Sequence, residues 1–177
     1  MRLKPEPTII IDSREQNPLD FPTLPATVGT LDTGDYSIVG LTHLVAVERK
    51  SIDDLLACIG RERERFKREL QRLRAYRFRL LVVEADAADL DAGLSGGAPW
   101  RSTLKAAHVV GSLAAWTAQY GLPIWLAGDH AGAGRFVERY LYQCARTLAT
   151  EYEAATGFLP GGVPPGTEPA GALTATA

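Results

Sequence analysis

The sequence predicts an α/β domain in which helices pack on a mixed sheet. Short aliphatic or β-branched runs such as Thr8-Ile9-Ile10-Ile11 and Leu44-Val45-Ala46-Val47 alternate with segments of helical period. The run Phe78-Arg79-Leu80-Leu81-Val82-Val83-Glu84 contains four consecutive aliphatics, as expected of a strand covered on both faces. Over 177 residues, 46% are hydrophobic and 23% charged, which suits one well-buried core.

In chain order, a first strand is expected over Thr8 to Asp12, turning away at Ser13-Arg14-Glu15. Val28 to Leu31 and Tyr36 to Val39 read as strands flanking Thr33-Gly34-Asp35, whose glycine marks a tight bend. Leu44 to Lys50 is the next strand. Ser51 then has the character of an N-cap with Asp54 at N3, so a helix should start there and reach about Ile59. A second helix is expected from Gly60 to about Tyr76, followed by the strand Phe78 to Glu84 and a loop over Ala85 to Pro99. Trp100 to Tyr120 reads as a helix with Leu104, Ala107, His108, Gly111, Ala115 and Ala118 near one stripe, closed by Gly121. Pro123 to Ala127 is a last short strand and Gly132 to Ala155 a last helix. Residues 1–156 therefore form one domain. The segment 157–177, rich in Pro, Gly and Ala and without periodicity, reads as a disordered tail.

Several classes are disfavoured. No apolar run approaches the roughly 20 residues that span a bilayer, and Met1 to Pro7 leads into a strand rather than a signal-peptide core. A cytoplasmic protein with no membrane contact is expected, nucleoid-associated in a prokaryote. Cys58 and Cys144 fall in helical segments, so neither a disulfide framework nor a cysteine zinc site is expected.

Charge is segregated along the chain. The formal net charge is −2, yet residues 61–79 hold nine of the nineteen basic residues against three glutamates, a local balance of +6 that leaves −8 elsewhere. Arg61, Arg63, Arg65, Lys67, Arg68 and Arg72 lead this cluster, which suits one positive surface for phosphates. The competing reading is a solvated helix whose charges pair at i,i+3 and i,i+4, such as Arg61 with Glu64 or Arg65 with Glu69.

The densest chemistry lies in Gly34-Asp35-Tyr36 followed, after eleven residues, by Glu48-Arg49-Lys50, with Asp54 four residues past the lysine. In a strand, residues i and i+2 share a face, so Glu48 and Lys50 project together. A second carboxylate, Asp35, arriving from a neighbouring turn supplies two hard oxygen ligands for Mg²⁺ or Mn²⁺ beside an ammonium. That set suffices in principle for phosphodiester hydrolysis. The competing reading is a salt-bridge network in which Lys50 simply pairs with Glu48.

Taken in order, Ile10-Ile11-Asp12-Ser13-Arg14-Glu15, Gly34-Asp35-Tyr36, Glu48-Arg49-Lys50 with Asp54, and the Leu80 to Glu84 strand resemble the nuclease domain of the XPF-type structure-specific endonucleases over roughly residues 8–150. The resemblance implies a restriction-endonuclease-like fold, a three-layer α/β/α arrangement with a central mixed sheet. It also implies Mg²⁺- or Mn²⁺-dependent nicking of one strand of branched, flapped or duplex DNA, in repair or recombination. On this resemblance Asp35 and Glu48 are direct metal ligands, the Arg49 carbonyl a third, and Asp12 a further metal-associated acid. Lys50 orients or helps deprotonate the attacking water, Arg14 grips a phosphate, and Glu15, Arg49 and Asp54 orient these groups. Asp54 also has a purely local reading as the N3 carboxylate of its helix, stabilising it by about 0.3–1 kcal/mol.

Family members that cut junctions generally add helix-hairpin-helix modules after the nuclease domain and many pair with a second subunit; here a Pro/Gly-rich segment follows. A DNA-binding partner protein, or a less selective nuclease, is the corresponding expectation. The resemblance suggests homodimerisation through the last helix, where Phe136, Val137, Tyr140, Leu141, Cys144 and Leu148 make an apolar stripe that also suits ordinary core. Two alternatives stay open at this level: a non-catalytic DNA-binding subunit of the same fold, and a metal-binding hydrolase acting on another phosphodiester or an interaction module.

Overall fold

The computed structural model describes residues 5–95 and 97–157. The expected tail at 158–177 lies outside the described residues. Eight strands and five helices follow in the order β1 (Ile9–Asp12), β2 (Ala26–Gly29), β3 (Tyr36–Ile38), β4 (Val45–Lys50), α1 (Ile52–Ile59), α2 (Arg63–Leu73), β5 (Phe78–Val83), α3 (Ala87–Ala92), β6 (Leu94–Ser95), β7 (Ala98–Pro99), α4 (Ala106–Tyr120), β8 (Ile124–Leu126) and α5 (His130–Thr156). The main sheet is mixed, with order β2-β1-β3-β4-β5-β8; β6 and β7 form a separate small hairpin.

Alternation along the central strands divides the core in two. Val45 and Val47 of β4, with Leu80 and Val82 of β5 and Tyr36 of β3, face Val137, Leu141 and Cys144 of α5. Ala46, Leu81 and Val83 face the opposite layer, built from Leu55 and Ile59 of α1, Phe66 and Leu70 of α2, and Val109 and Trp116 of α4. The expected helix-sheet-helix layering is present. Each β4 residue before Glu48 is fully buried, which fixes the register, since a slip of one residue would exchange the two faces.

Strand direction brings the polar ends together. β4 and β5 run parallel, as do β5 and β8, while β3 is antiparallel to both β1 and β4. The carboxyl ends of β1, β4 and β5 and the amino end of β3 therefore meet at one edge of the sheet. Asp12, Asp35, Glu48 to Lys50 and Glu84 all lie there, although they are scattered over 73 positions of sequence.

Some expectations are displaced. The strand expected over Val28 to Leu31 lies at Ala26–Gly29, on the sheet edge, with Val28 exposed. Leu31 is buried instead in the following loop, where its N–H and C=O bind Asp12 and Arg14. The loop expected over Ala85 to Pro99 contains α3 and the β6-β7 hairpin; Asp86 caps α3 by accepting the Asp89 N–H at 2.7 Å. α4 begins at Ala106 rather than Trp100, because the Trp100 indole N–H donates to the Leu104 carbonyl and Ser102 Oγ accepts the Leu104 N–H, a local arrangement that competes with helix. Its buried stripe is Val109, Ser112, Leu113 and Trp116, whereas Ala107, His108 and Gly111 of the expected stripe are exposed. The larger apolar side chains decide which way the helix rotates. In the last helix, Val137, Leu141 and Cys144 belong to the protein's own core, leaving Phe136 and Tyr140 partly exposed beside Trp125, whose ring stacks on Phe136 at 4.0 Å. Among the described residues no helix is long and apolar enough to cross a membrane.

Candidate active site

Asp35 owes its place to the turn before it. Gly34 adopts φ +80°, and a Cβ there would stand 2.8 Å from the Val47 carbonyl oxygen, so only glycine lets β3 approach β4 this closely. Two backbone hydrogen bonds then lock Asp35: its N–H donates to Val47 O at 2.8 Å, and its carbonyl accepts the Asp12 N–H at 2.8 Å. Its side chain turns across to β4, where Oδ2 accepts the Arg49 backbone N–H at 2.7 Å.

Glu48 and Lys50 project together from β4 towards the layer holding α1 and α2, as period two requires. Lys50 Nζ donates to Glu48 Oε1 at 2.5 Å and lies 5.4 Å from the centre of the Phe66 ring. Glu48 is 6% exposed. Burial pushes the Asp35 carboxyl up to about 7, assisted by the nearby Glu48 charge and opposed by Lys50 and the Arg49 N–H. Burial also raises Glu48, with Lys50 opposing and Glu69 adding to the rise. Both carboxyls are thus held above their ordinary range, chiefly by burial. Burial works against the Lys50 ammonium, but Glu48 and Asp35 outweigh it and raise the lysine above its ordinary value. Lys50 is thus a fixed positive charge, suited to orienting water and stabilising anionic oxygen, and poorly suited to removing a proton.

Arg49 points to the opposite face of β4. Its guanidinium binds Glu15 through Nη2 at 3.0 Å and Glu84 through Nη1 at 2.8 Å, and His130 Nδ1 meets the same Glu84 oxygen at 2.7 Å. This network clamps the main chain at residue 49, whose N–H holds Asp35. Glu84, at the end of the β5 aliphatic run, and His130, at the start of α5, had no assigned role in the sequence. The charged residue closing an otherwise apolar strand was the available signal for Glu84; nothing local marked His130.

Asp12 is 2% exposed, and its two oxygens already accept four donors: Arg14 N, Nε and Nη2, and the Leu31 N–H, at 2.7 to 2.9 Å. The Arg14 side-chain hydrogen bond, net of burial, holds its carboxyl down at about 2. The same contacts hold Arg14, which is 70% exposed and an electrostatic neighbour of Asp35 and Glu48, at the rim of the site. Asp54 is exposed and bonded to Ser51, with its N–H donating to Ser51 Oγ and its Oδ2 accepting from that hydroxyl at 2.7 Å, the capping arrangement of α1.

The basic cluster falls on α2 and its flanks. At 100° per residue, Arg65, Arg68 and Arg72 lie within about 60° of one another, on the side next to Glu69. Arg63 and Lys67 fall elsewhere on the helix. Arg65 pairs with Glu62 and Lys67 with Glu64 at 2.7 Å, whereas Arg68 and Arg72 are exposed. Arg61 makes only a 3.7 Å contact with Glu62. Arg65 lies close enough to Glu48 to act on its charge.

Among the described residues no group of three or more His, Cys, Asp or Glu side chains is gathered to hold a metal ion by itself. The available set is the half-buried Asp35, the buried Glu48 and the Arg49 carbonyl next to Glu48 in sequence.

The ERCC4 domain matches residues 11–140, a span that takes in the carboxylate pair, the arginine stripe and the start of α5. The chain belongs to the ERCC4 domain family. Its fold is that of the XPF nuclease domain: XPF from Aeropyrum pernix superposes with a TM-score of 0.62 at 21% identity, covering 84% of this chain and 70% of that one. XPF from Aeropyrum pernix in complex with DNA gives a TM-score of 0.61 at 18% identity, covering 87% and 84%. No curated protein matches the sequence. The ERCC4 domain described here thus has an endonuclease-type fold, with its most perturbed carboxylates at the edge where the parallel strands end.

Proposed function

We propose that this ERCC4 domain is a divalent-cation-dependent DNA endonuclease that nicks one strand of branched, flapped or duplex DNA, as in repair or recombination. The observation that carries the reading is the half-buried Asp35 with the buried Glu48, both raised by desolvation and Asp35 further by the Glu48 charge, beside the permanently charged Lys50. Two like charges held out of water make a poor ion-pair network and a good receptor for a hard cation. The donor chemistry fits Mg²⁺ or Mn²⁺: Asp35, Glu48 and the Arg49 carbonyl would hold it, all hard oxygens. When bound, such an ion polarises a phosphoryl oxygen and lowers the pKa of water.

The chain's own residues supply the rest. Asp35 and Glu48, both favoured in their protonated forms by burial, would give up protons as the site fills. Lys50 orients the attacking water and stabilises charge developing at phosphorus. Arg14 donates through Nε and Nη2 to the two Asp12 oxygens, which fixes the exposed guanidinium and leaves Nη1 to grip a phosphate. The α2 stripe of Arg65, Arg68 and Arg72 follows the DNA backbone, a role supported by a similar fold having been solved in complex with DNA.

The test is cleavage of labelled duplex, fork, 3′-flap and single-stranded DNA with Mg²⁺ or Mn²⁺, comparing the intact chain with Asp35→Ala and Lys50→Ala. We expect metal-dependent nicking, abolished by Asp35→Ala and reduced about 10²- to 10³-fold by Lys50→Ala, the usual scale for losing one electrostatic stabiliser. An intact chain that binds these DNAs with both metals and cuts none of them would instead identify a DNA-binding subunit that partners an active nuclease.

A further inference from the structure

Glu69 has no counterpart in the chemistry assigned so far. It lies on α2 three residues after Phe66, whose ring the Lys50 ammonium overlies, and it is an electrostatic neighbour of Glu48. Its Oε2 is the one side-chain oxygen or nitrogen among the described residues that is buried without a hydrogen-bond partner. The nearest cation does not satisfy it. Arg65 is committed to Glu62, and its Nη1 stands 3.9 Å from Glu69 Oε1, beyond a hydrogen bond. The side chain keeps 20% of its surface, so Oε2 is buried by choice of rotamer, at the inner side of a residue that has access to water.

An unsatisfied buried carboxylate oxygen is destabilising, and here it also repels Glu48. Such an arrangement is kept where a donor arrives later. A hydrated divalent cation brings that donor, since the waters of its shell carry polarised O–H groups. We propose that Glu69 is a positioning residue of the cation site, accepting through Oε2 a hydrogen bond from a metal-bound water. Among the described residues no three ligand side chains are gathered, which agrees with contact through water rather than direct ligation. The inference rests on the metal-dependent reading above and extends it to a helix outside the Asp35 and Glu48 strands.

Mn²⁺ binding to the metal-free chain without DNA, followed by EPR titration, separates the two claims. Glu69→Gln keeps the shape but weakens acceptance, and should weaken Mn²⁺ binding about tenfold, the scale of lost outer-shell partners. Its metal-free Tm should stay level or rise, because a repulsion is removed. Arg65→Gln removes a cation that acts on both Glu69 and Glu48 and should tighten Mn²⁺ binding. Equal weakening by both variants would assign Glu69 a purely structural role and overturn the proposal. If the intact chain binds Mn²⁺, Asp35→Asn abolishes binding and Glu69→Gln stays within twofold, the Glu69 inference fails alone. If the intact chain binds no Mn²⁺, the metal-dependent reading fails with it.

Discussion

Asp35 is held in place by opposed demands. Its backbone is fixed by β3 and β4, its Oδ2 accepts the Arg49 N–H, and its remaining surroundings penalise its charge. Raised from 3.8 to about 7, it retains in the folded chain a proton that the unfolded chain releases between those values. The sign follows: stability of the metal-free protein falls as pH rises through this window and levels off above about 7. Asp35→Asn removes the penalty. Its metal-free Tm should exceed that of the unsubstituted protein at pH 8, by on the order of 3 °C at 2–4 °C per kcal/mol for a chain of this size, and should match it near pH 4. Calorimetry at the two pH values checks this; a variant that is no more stable at pH 8 would mean that Asp35 is not strained by its charge. Sequence placed Asp35, Glu48, Arg49 and Lys50 well, because a turn glycine and a strand of period two are local signals. Glu69 and His130 escaped, since their relevance depends on where a helix face and a helix start come to rest. Asp12 was recognised as important, but its saturation by Arg14 and Leu31 needed the loop geometry to be seen.

The α2 helix shows what an element adds to its residues. Counted along the sequence, six basic positions look equivalent; on the helix, Arg65, Arg68 and Arg72 share one stripe, of which Arg65 acts on the Glu48 charge, while Arg63 and Lys67 lie on other faces. Charge pairing, the competing sequence reading, is realised for Arg65 with Glu62 and for Lys67 with Glu64. Arg68→Ala with Arg72→Ala should therefore weaken DNA binding uniformly across sequences and lower the slope of log K against log salt by about two, one per lost phosphate contact. Lys67→Ala should change the slope little. Fluorescence anisotropy from 50 to 200 mM salt measures both, and equal effects would mean that the cluster acts only through bulk charge. Boundaries of long elements were legible for the same reason as the stripe: β4, α1 and β5 carry strong periodicity and a capping serine. β2 and the rotation of α4 were not, because β2 is a half-exposed edge strand and the α4 stripe of alanines and glycine offered less area to bury than Val109, Leu113 and Trp116 on the other face.

At the scale of the whole molecule, one buried ion network joins parts that no local signal relates. Arg49 ties β4 to Glu15 in the loop after β1 and to Glu84 after β5, and His130 brings in the first turn of α5. Strand order is the long-range fact that makes this possible, and it was not readable from the sequence, where only the strands themselves were visible. The network also links the two functions of residue 49, since the guanidinium on one face anchors the backbone that holds Asp35 on the other. Arg49→Met leaves Glu15 and Glu84 buried with His130 alone, and breaking a buried pair in this way costs about 3–5 kcal/mol, or roughly 6–20 °C in Tm. Replacing the acids as well, in Arg49→Met with Glu15→Gln and Glu84→Gln, removes the unpaired charges and should recover most of that loss, because a buried ion network contributes little net stability against neutral neighbours. Nicking should stay at least about tenfold down, as for a lost outer-shell anchor, because residue 49 is no longer clamped and Asp35 has lost a fixed partner. Thermal unfolding and nicking rates on the same two variants separate the contributions: recovered stability with full activity would make the network a scaffold only, and recovered stability without activity would make it the device by which the sheet aims its metal-binding edge.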